Sequence, residues 1–174
     1  MATIIVAADR GDCIGNKNGI PFYSDMQFFK ETTMGGVVIM GRKTWESLPL
    51  KYKPLPGRIN VVVSTTYDDG RWALEKDGER FYVFHSLNQA IRFAQAEHPE
   101  KEHFIIGGWQ LYNTAFRTPN LVTKVLLSKI GVETPECDTH FLSTGQLEQL
   151  FGKHKVIGID NEAEEPVLRL MYGK

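Results

Sequence analysis

The sequence predicts an α/β fold: a central, mostly parallel sheet with an antiparallel hairpin at its C-terminal edge and helices on both faces. Three observations predict it. Eight apolar, strand-forming runs occur, several of them unbroken, such as Ile-Ile-Val at 4–6 and Val-Val-Val at 61–63. Unbroken runs belong to strands buried on both faces rather than to strands with one wet side. Helical stretches alternate with these runs through the first two thirds of the chain, the pattern of parallel sheets. The last two runs are joined by six residues, Asn161–Pro166. That is too short for a crossover, so they pair antiparallel.

In chain order, the first strand is Thr3–Ala8. A loop, Asp9–Tyr23, follows with Gly11, Gly15, Gly19 and Pro21. Ser24-Asp25-Met26-Gln27 has the Ser-x-x-Gln form of a capping box and opens a helix of about Asp25–Thr32. The second strand is Val37–Met40, and a short helix follows Gly41. Pro49–Gly57 holds three prolines and is a loop. The strand Ile59–Ser64 leads to an Asp- and Gly-rich excursion, Tyr67–Arg80, and then to the strand Phe81–Phe84. Ser86-Leu87-Asn88-Gln89 repeats the capping form and opens a helix of Leu87–Ala96. His103–Ile106 is a strand with a second short helix after Gly107. Lys124–Lys129, His154–Asp160 and Val167–Tyr172 complete the eight strands.

Size and composition restrict the function classes. A chain of 174 residues is the length of one domain and buries roughly 70% of the surface its unfolded form exposes. Twenty basic against 21 acidic residues leave a net charge of −1, which removes the electrostatic case for nucleic acid or an anionic membrane as partner. No apolar run reaches the roughly 20 residues of a membrane span, and the N-terminus lacks the form of a secretory signal. Cys13 and Cys137 do not make a disulfide framework in a chain this long. The expectation is a soluble protein of a reducing compartment.

Two features carry candidate chemistry. Asp25 stands at a helix start, where the macrodipole favours any carboxylate, and that alone would explain it. Phe28 and Phe29 share its helix face, however, and Met26 and Phe22 add apolar neighbours. A carboxylate turned inward among aromatics is costly unless something pairs with it, and it suits an amidine-like ligand edge or acid–base work. The second feature is a pair of turns, Gly41-Arg42-Lys43-Thr44 and Gly107-Gly108-Trp109-Gln110. Each follows an apolar strand, and bare backbone N–H groups there suit phosphates. Tight turns also need glycine for backbone reasons alone. Two such turns at equivalent strand ends fit the ligand position of open α/β sheets. Arg58, after Pro54-Leu55-Pro56-Gly57, is read first as a surface ion pair; a stiff turn would also preorganise it for a carboxylate. Cys137-Asp138-Thr139-His140 has no second ligand pair, so no metal is expected.

These residues resemble the dihydrofolate reductase family along essentially the whole chain. The resemblance is carried by Ile14-Gly15, Asn18-Gly19-Ile20-Pro21, Ser24-Asp25 with Phe28-Phe29-Lys30, Met40-Gly41-Arg42-Lys43-Thr44-Trp45-Glu46-Ser47, Pro54-Leu55-Pro56-Gly57-Arg58, Ile105-Ile106-Gly107-Gly108 with Tyr112, and Asp138-Thr139-His140-Phe141. It implies a dihydrofolate-reductase-like three-layer fold as a single domain, with a smaller adenosine-binding subdomain around residues 38–105. It also implies reduction of 7,8-dihydrofolate to tetrahydrofolate with NADPH, by hydride transfer to C6 and protonation at N5. By motif position, Asp25 is then the pterin-binding catalytic acid and Ser128 its hydroxyl neighbour. Ile5, Val6, Ala7, Phe29, Ile106 and Tyr112 line the pterin and nicotinamide pocket. Leu48 and Leu55 hold the aminobenzoyl ring, and Arg58 binds the glutamate α-carboxylate.

On the cofactor side the resemblance implies Ala7 and Ile14, with Asn18, Gly19 and Ile20 as a mobile loop over the nicotinamide. Gly41, Arg42, Lys43, Thr44, Ser64 and Thr65 take the pyrophosphate and 2′-phosphate side. Gly107, Gly108, Trp109, Gln110 and Leu111 form a second phosphate turn with a cis Gly107–Gly108 bond, and Thr139 contacts the cofactor. No acidic residue is expected beside Arg42 to take a ribose hydroxyl, which favours NADPH. Phe22 and Gln110 depart from residues common in the family, tryptophan and arginine. The other implied properties are a cytoplasmic monomer that takes dihydrofolate and antifolate inhibitors and supplies one-carbon carriers for thymidylate and purine synthesis. Two rivals stand beside this reading: a reductase of the same fold acting on another pyrimidine-like or pteridine substrate, and a binding protein that has lost turnover.

Overall fold

A computed structural model of the chain describes residues 1–15, 25–67, 80–162 and 165–173. In order, the elements are β1 (Ala2–Ala8), β2 (Cys13–Gly15), α1 (Met26–Thr33), β3 (Val37–Gly41), α2 (Arg42–Ser47), a 3₁₀ turn (Leu50–Tyr52), β4 (Ile59–Val63) and β5 (Phe81–Phe84). Then come α3 (Leu87–Glu97), β6 (His103–Gly107), α4 (Trp109–Arg117), β7 (Val122–Ile130), β8 (Thr139–His140), α5 (Thr144–Phe151), β9 (Lys155–Asp160) and β10 (Val167–Gly173). All eight expected strands are present and form one sheet in the order β5-β4-β3-β6-β1-β7-β10-β9. The six strands from β5 to β7 run parallel, and β10 pairs antiparallel with both β7 and β9.

Residue parity explains why the strand runs are unbroken. Ile4, Val6, Val37, Ile39, Val61, Ile105, Val125, Leu127, Leu170 and Tyr172 belong to one buried cluster, with Leu87, Ile91, Leu111 and Leu147 from α3, α4 and α5. The alternate residues Ile5, Val38, Met40, Val62, Phe104 and Leu126 belong to a second cluster with Trp45 of α2, against which Phe28 and Phe29 of α1 pack. The six strands from β5 to β7 thus bury both faces, whereas the edge strand β9 is largely exposed.

Four sequence expectations change. The Ser86 cap forms only half of a capping box: Ser86 Oγ accepts from the Gln89 N–H at 3.2 Å, but Gln89 Oε1 accepts from the His85 N–H at 3.1 Å. The complete capping box is at α5, an unexpected helix, where the Ser143 N–H donates to Gln146 Oε1 at 2.9 Å and the Gln146 N–H to Ser143 Oγ at 3.2 Å. The short strands β2 and β8 form a second, two-stranded sheet. Cys13, the first residue of β2, and Cys137, two residues before β8, are joined by a disulfide with Cα atoms 5.9 Å apart. Ser24, most of the loop containing Asn18, Gly19, Ile20 and Phe22, and most of the 67–80 excursion lie outside the described residues. No helix among the described residues is long and apolar enough to cross a membrane.

Candidate active site

The carboxyl ends of β1, β3 and β6 meet at the middle of the sheet, and a cleft of about 540 Å³ opens there. Its position follows from topology: consecutive strands are laid on either side of β1, and loops leaving neighbouring strand ends in opposite directions open a crevice. Ile5, Val6, Ala7, Asp25, Phe29, Ile106 and Tyr112 line it together with Ile14, Lys43, Thr44, Gly107, Gly108, Trp109 and Thr139. Gly15, Met26, Ser47 and Asp138 also line it, without a role assigned from the sequence.

Asp25 is the N-cap residue of α1, but its side chain caps nothing. The carboxyl turns inward and the residue is 5% exposed. Burial pushes its pKa above the ordinary 3.8, opposed by a hydrogen bond from Ser128 and by the charge of Arg169. Ser128 is itself 1% exposed and stands behind Asp25 rather than on the cleft wall. Arg169 Nε lies 3.5 Å from Asp25 Oδ1. Arg169 is the residue that sequence reasoning missed. The signal for it was parity: Leu170 and Tyr172 pack into one face of the sheet, so Arg169 turns to the other face, toward α1.

The glycine turns provide the opposite wall. Gly41 and Gly108 are the N-caps of α2 and α4, and neither helix start is capped by a side chain. Their first N–H groups are therefore not used internally. The Gly107–Gly108 bond is cis, and Gly107 has φ +135°, a conformation closed to most side chains. A Cβ there would stand 3.3 Å from Thr44 Oγ1 and 3.5 Å from Tyr112 Oη. The fully buried Tyr112 donates to the Ile5 carbonyl at 3.0 Å, tying α4 to β1 beneath the cleft. Burial pushes its phenol far above the ordinary range, so it stays protonated.

The remaining expected residues sit at the periphery. Leu48 is half-buried and Leu55 buried in the cluster with Phe29, at the aromatic end of the site. Arg58 lies 6.0 Å from the Phe29 ring centroid and donates to Thr33 Oγ1 at 3.2 Å and to the Pro56 carbonyl at 2.9 Å. Gly41 pairs in register with Val63, which brings Arg42 beside Ser64 and Thr65 at adjacent strand ends. Ser64 Oγ accepts from the Thr66 N–H at 3.2 Å, and Thr65 is exposed. Contrary to expectation, an acid does stand beside Arg42: Glu46 Oε1 accepts from Arg42 Nη1 at 3.2 Å and from Tyr67 Oη at 3.0 Å. Gln110 is exposed, whereas the Leu111 side chain is buried in the core beneath α4, so only its backbone is open to a ligand.

Comparison with known proteins agrees with this architecture. The family model for dihydrofolate reductase matches residues 1–165. The chain is 36% identical over 149 residues to a dihydrofolate reductase of Schistosoma mansoni, covering 79% of this chain and 76% of that one. It is 39% identical over 153 residues to one of Neisseria gonorrhoeae, covering 84% and 87%. It is 36% identical over 157 residues to one of Saccharomyces cerevisiae, covering 80% and 71%. With the sheet order, the buried acid and the two glycine turns in place, the chain belongs to the dihydrofolate reductase family.

Proposed function

We propose that the protein reduces 7,8-dihydrofolate to 5,6,7,8-tetrahydrofolate with NADPH, and that Asp25 is its substrate-binding acid. The observation that carries this reading is the inward-turned Asp25 carboxyl, placed in one cleft with aromatic residues and two uncapped glycine turns. A buried carboxylate accepts hydrogen bonds from an amino-pterin edge, and its negative charge raises the basicity of a nearby ring nitrogen, here N5. Ile5, Phe29, Ile106 and Tyr112 exclude water around the ring, which strengthens that interaction. Leu48 and Leu55 take the aminobenzoyl ring, and Arg58 binds the glutamate α-carboxylate.

The cleft residues fit a nicotinamide dinucleotide. The Cβ-free cradle at Gly107 and the free N–H groups after Gly41 and Gly108 accept a pyrophosphate. When bound, the cofactor supplies the hydride for C6 of the pterin. Arg42, Ser64 and Thr65 hold its 2′-phosphate, and Thr139 and Ile14 close the nicotinamide side. The adenosine end lies over the half of the sheet formed by residues 38–105. In this reading the protein is a cytoplasmic monomer that supplies one-carbon carriers and is open to antifolates.

The test is NADPH oxidation, followed by absorbance, with dihydrofolate present and absent. Oxidation that requires dihydrofolate supports the proposal. Oxidation only with a different pyrimidine or pteridine substrate would favour the rival reductase, and no oxidation with any of them would leave a binding protein.

A further inference from the structure

We infer that Arg169, on the C-terminal edge hairpin, is a positioning residue for Asp25: its guanidinium holds the carboxyl in its ionised form and fixes which oxygen faces the cleft. The inference rests on the reading of Asp25 as the substrate-binding acid. Arg169 Nε lies 3.5 Å from Asp25 Oδ1, with the two side chains only 14% and 7% exposed. Both atoms are fully buried, and neither has a hydrogen-bond partner among the described residues, so the ion pair is what joins them. Each is thus the other's compensation for lost water. Oδ1, buried against Arg169, is closed to a ligand.

The surroundings hold Arg169 in place. Its guanidinium carbon is 4.6 Å from the centroid of Phe28, one turn along α1 from Asp25, close enough for a cation–π contact. Arg169 pairs in register with Ser128 on one side and Gly158 on the other. Ser128 hydrogen-bonds the same carboxyl, so neighbouring residues on β7 and β10 converge on it. Gly158 brings no side chain; even an added Cβ would be 3.7 Å from Arg169 Cδ, leaving the arginine stem unobstructed. Among the described residues, the groups around Asp25 are Phe28 and Phe29 on α1, Ile5 and Ala7 on β1, Ser128 on β7 and Arg169 on β10. Arg169 is the charged one among them. An opposite charge at this distance favours the carboxylate, against the burial that favours the acid.

The test follows the titration of the Asp25 carboxyl carbon by ¹³C NMR in the wild type, Arg169→Met and Arg169→Lys proteins, with Asp25→Asn to assign the signal. The Arg169→Met midpoint should rise by about one unit or more, the usual scale for loss of an opposite charge. Arg169→Lys, which keeps the charge, should restore most of the shift. An unchanged midpoint in Arg169→Met overturns the inference. A measurement on the wild type does not depend on how that variant folds: the Arg169 Nε–H resonance should titrate with the Asp25 midpoint and lose that titration in Asp25→Asn. A flat Arg169 signal overturns the inference equally. None of these readouts needs turnover, so failure of dihydrofolate-dependent NADPH oxidation would count against the proposed reaction alone.

Discussion

Asp25 and Asp9 are both buried carboxylates, and their surroundings push them in opposite directions. At Asp9, burial acts upward, but N–H groups of Cys13 at 2.8 Å, Thr134 at 2.6 Å and Gly11 at 2.8 Å outweigh it and lower the pKa below 3.8. A lowered folded-state pKa gives stability that is present above 3.8 and is lost as pH falls through the folded value. At Asp25 the pKa is raised, so stability is fullest below 3.8 and declines as pH rises through the folded value. Asp25→Asn should lower turnover by roughly 10²–10⁴-fold at pH 7, the range for an acid–base group. Part of the turnover should return at low pH, where solvent can protonate the pterin. Asp9→Asn should instead lose thermal stability at pH 7. Thermal melts and dihydrofolate kinetics across pH check both, and near-normal turnover of Asp25→Asn at pH 7 removes it from the mechanism. Arg42 calls for a different measurement because Glu46 already holds it. A 2′-phosphate must draw Arg42 from an exposed ion pair that is worth about 0.5 kcal/mol, a small penalty. Arg42→Ala should weaken NADPH far more than NADH and flatten the salt dependence of NADPH binding. Dissociation constants for both cofactors at two salt concentrations decide it, and equal weakening would place Arg42 on the pyrophosphate.

At the scale of elements, strands were more legible than caps and short pairings. The six parallel strands declared themselves because they bury both faces, and a run such as Val37–Met40, all 0% exposed, allows no polar interruption. The helices after Gly41 and Gly107 were legible from the glycines that precede them. By contrast β2 and β8 are three and two residues long. Strands that short carry no periodicity, and tertiary contacts define them. At Gly15 an added Cβ would come within 3.0 Å of Thr139 Cβ, so the absence of a side chain sets how closely the two strands approach. Within the candidate site, Asp25 was legible because it shares a helix face with Phe28 and Phe29, and the glycine turns because each follows an apolar strand. Arg169 was not, because an arginine in an edge hairpin reads as solvent-facing until the parity of β10 is known. The Ser143 cap of α5 carried the same Ser-x-x-Gln signal as Ser86, and the two caps form to different degrees. Ser143→Ala removes the Oγ acceptor from a reciprocal pair and should cost about 1 kcal/mol, near the centre of the range for an N-cap. Ser86→Ala removes an acceptor that has no reciprocal bond and should cost less. Urea denaturation of the two variants compares them directly, and a larger loss at Ser86 would contradict the reciprocal-bond account.

At the scale of the molecule, the cleft depends on distant segments held together across the sheet. The wall carrying Ile14, Gly15, Asp138 and Thr139 is built from β2 and β8, which are far apart in sequence and share one small pairing. The Cys13–Cys137 bond spans 124 residues and joins those two segments directly. Two cysteines in an ordinary globular composition gave no sequence sign of it, since the pairing depends on the loops that bring them together. A bridge of this span restricts the unfolded chain strongly; the chain-entropy account gives about 4–5 kcal/mol for a loop of roughly this length, with native-state effects able to reduce it. In a cytoplasm that keeps thiols reduced, the pair would be open and that contribution absent. Reductant should therefore lower the urea midpoint of the wild type to that of Cys13→Ser. It should leave the midpoint of Cys13→Ser itself unchanged. The core clusters on both faces of the sheet contain neither cysteine, so the reduced protein should remain folded and keep its far-UV circular dichroism. Mass spectrometry after thiol alkylation, run beside the melts, counts the open cysteines in each sample. If the unreduced wild type takes up two alkyl groups and melts with Cys13→Ser, the bridge does not form in solution and the β2–β8 wall is held by its backbone pairing alone.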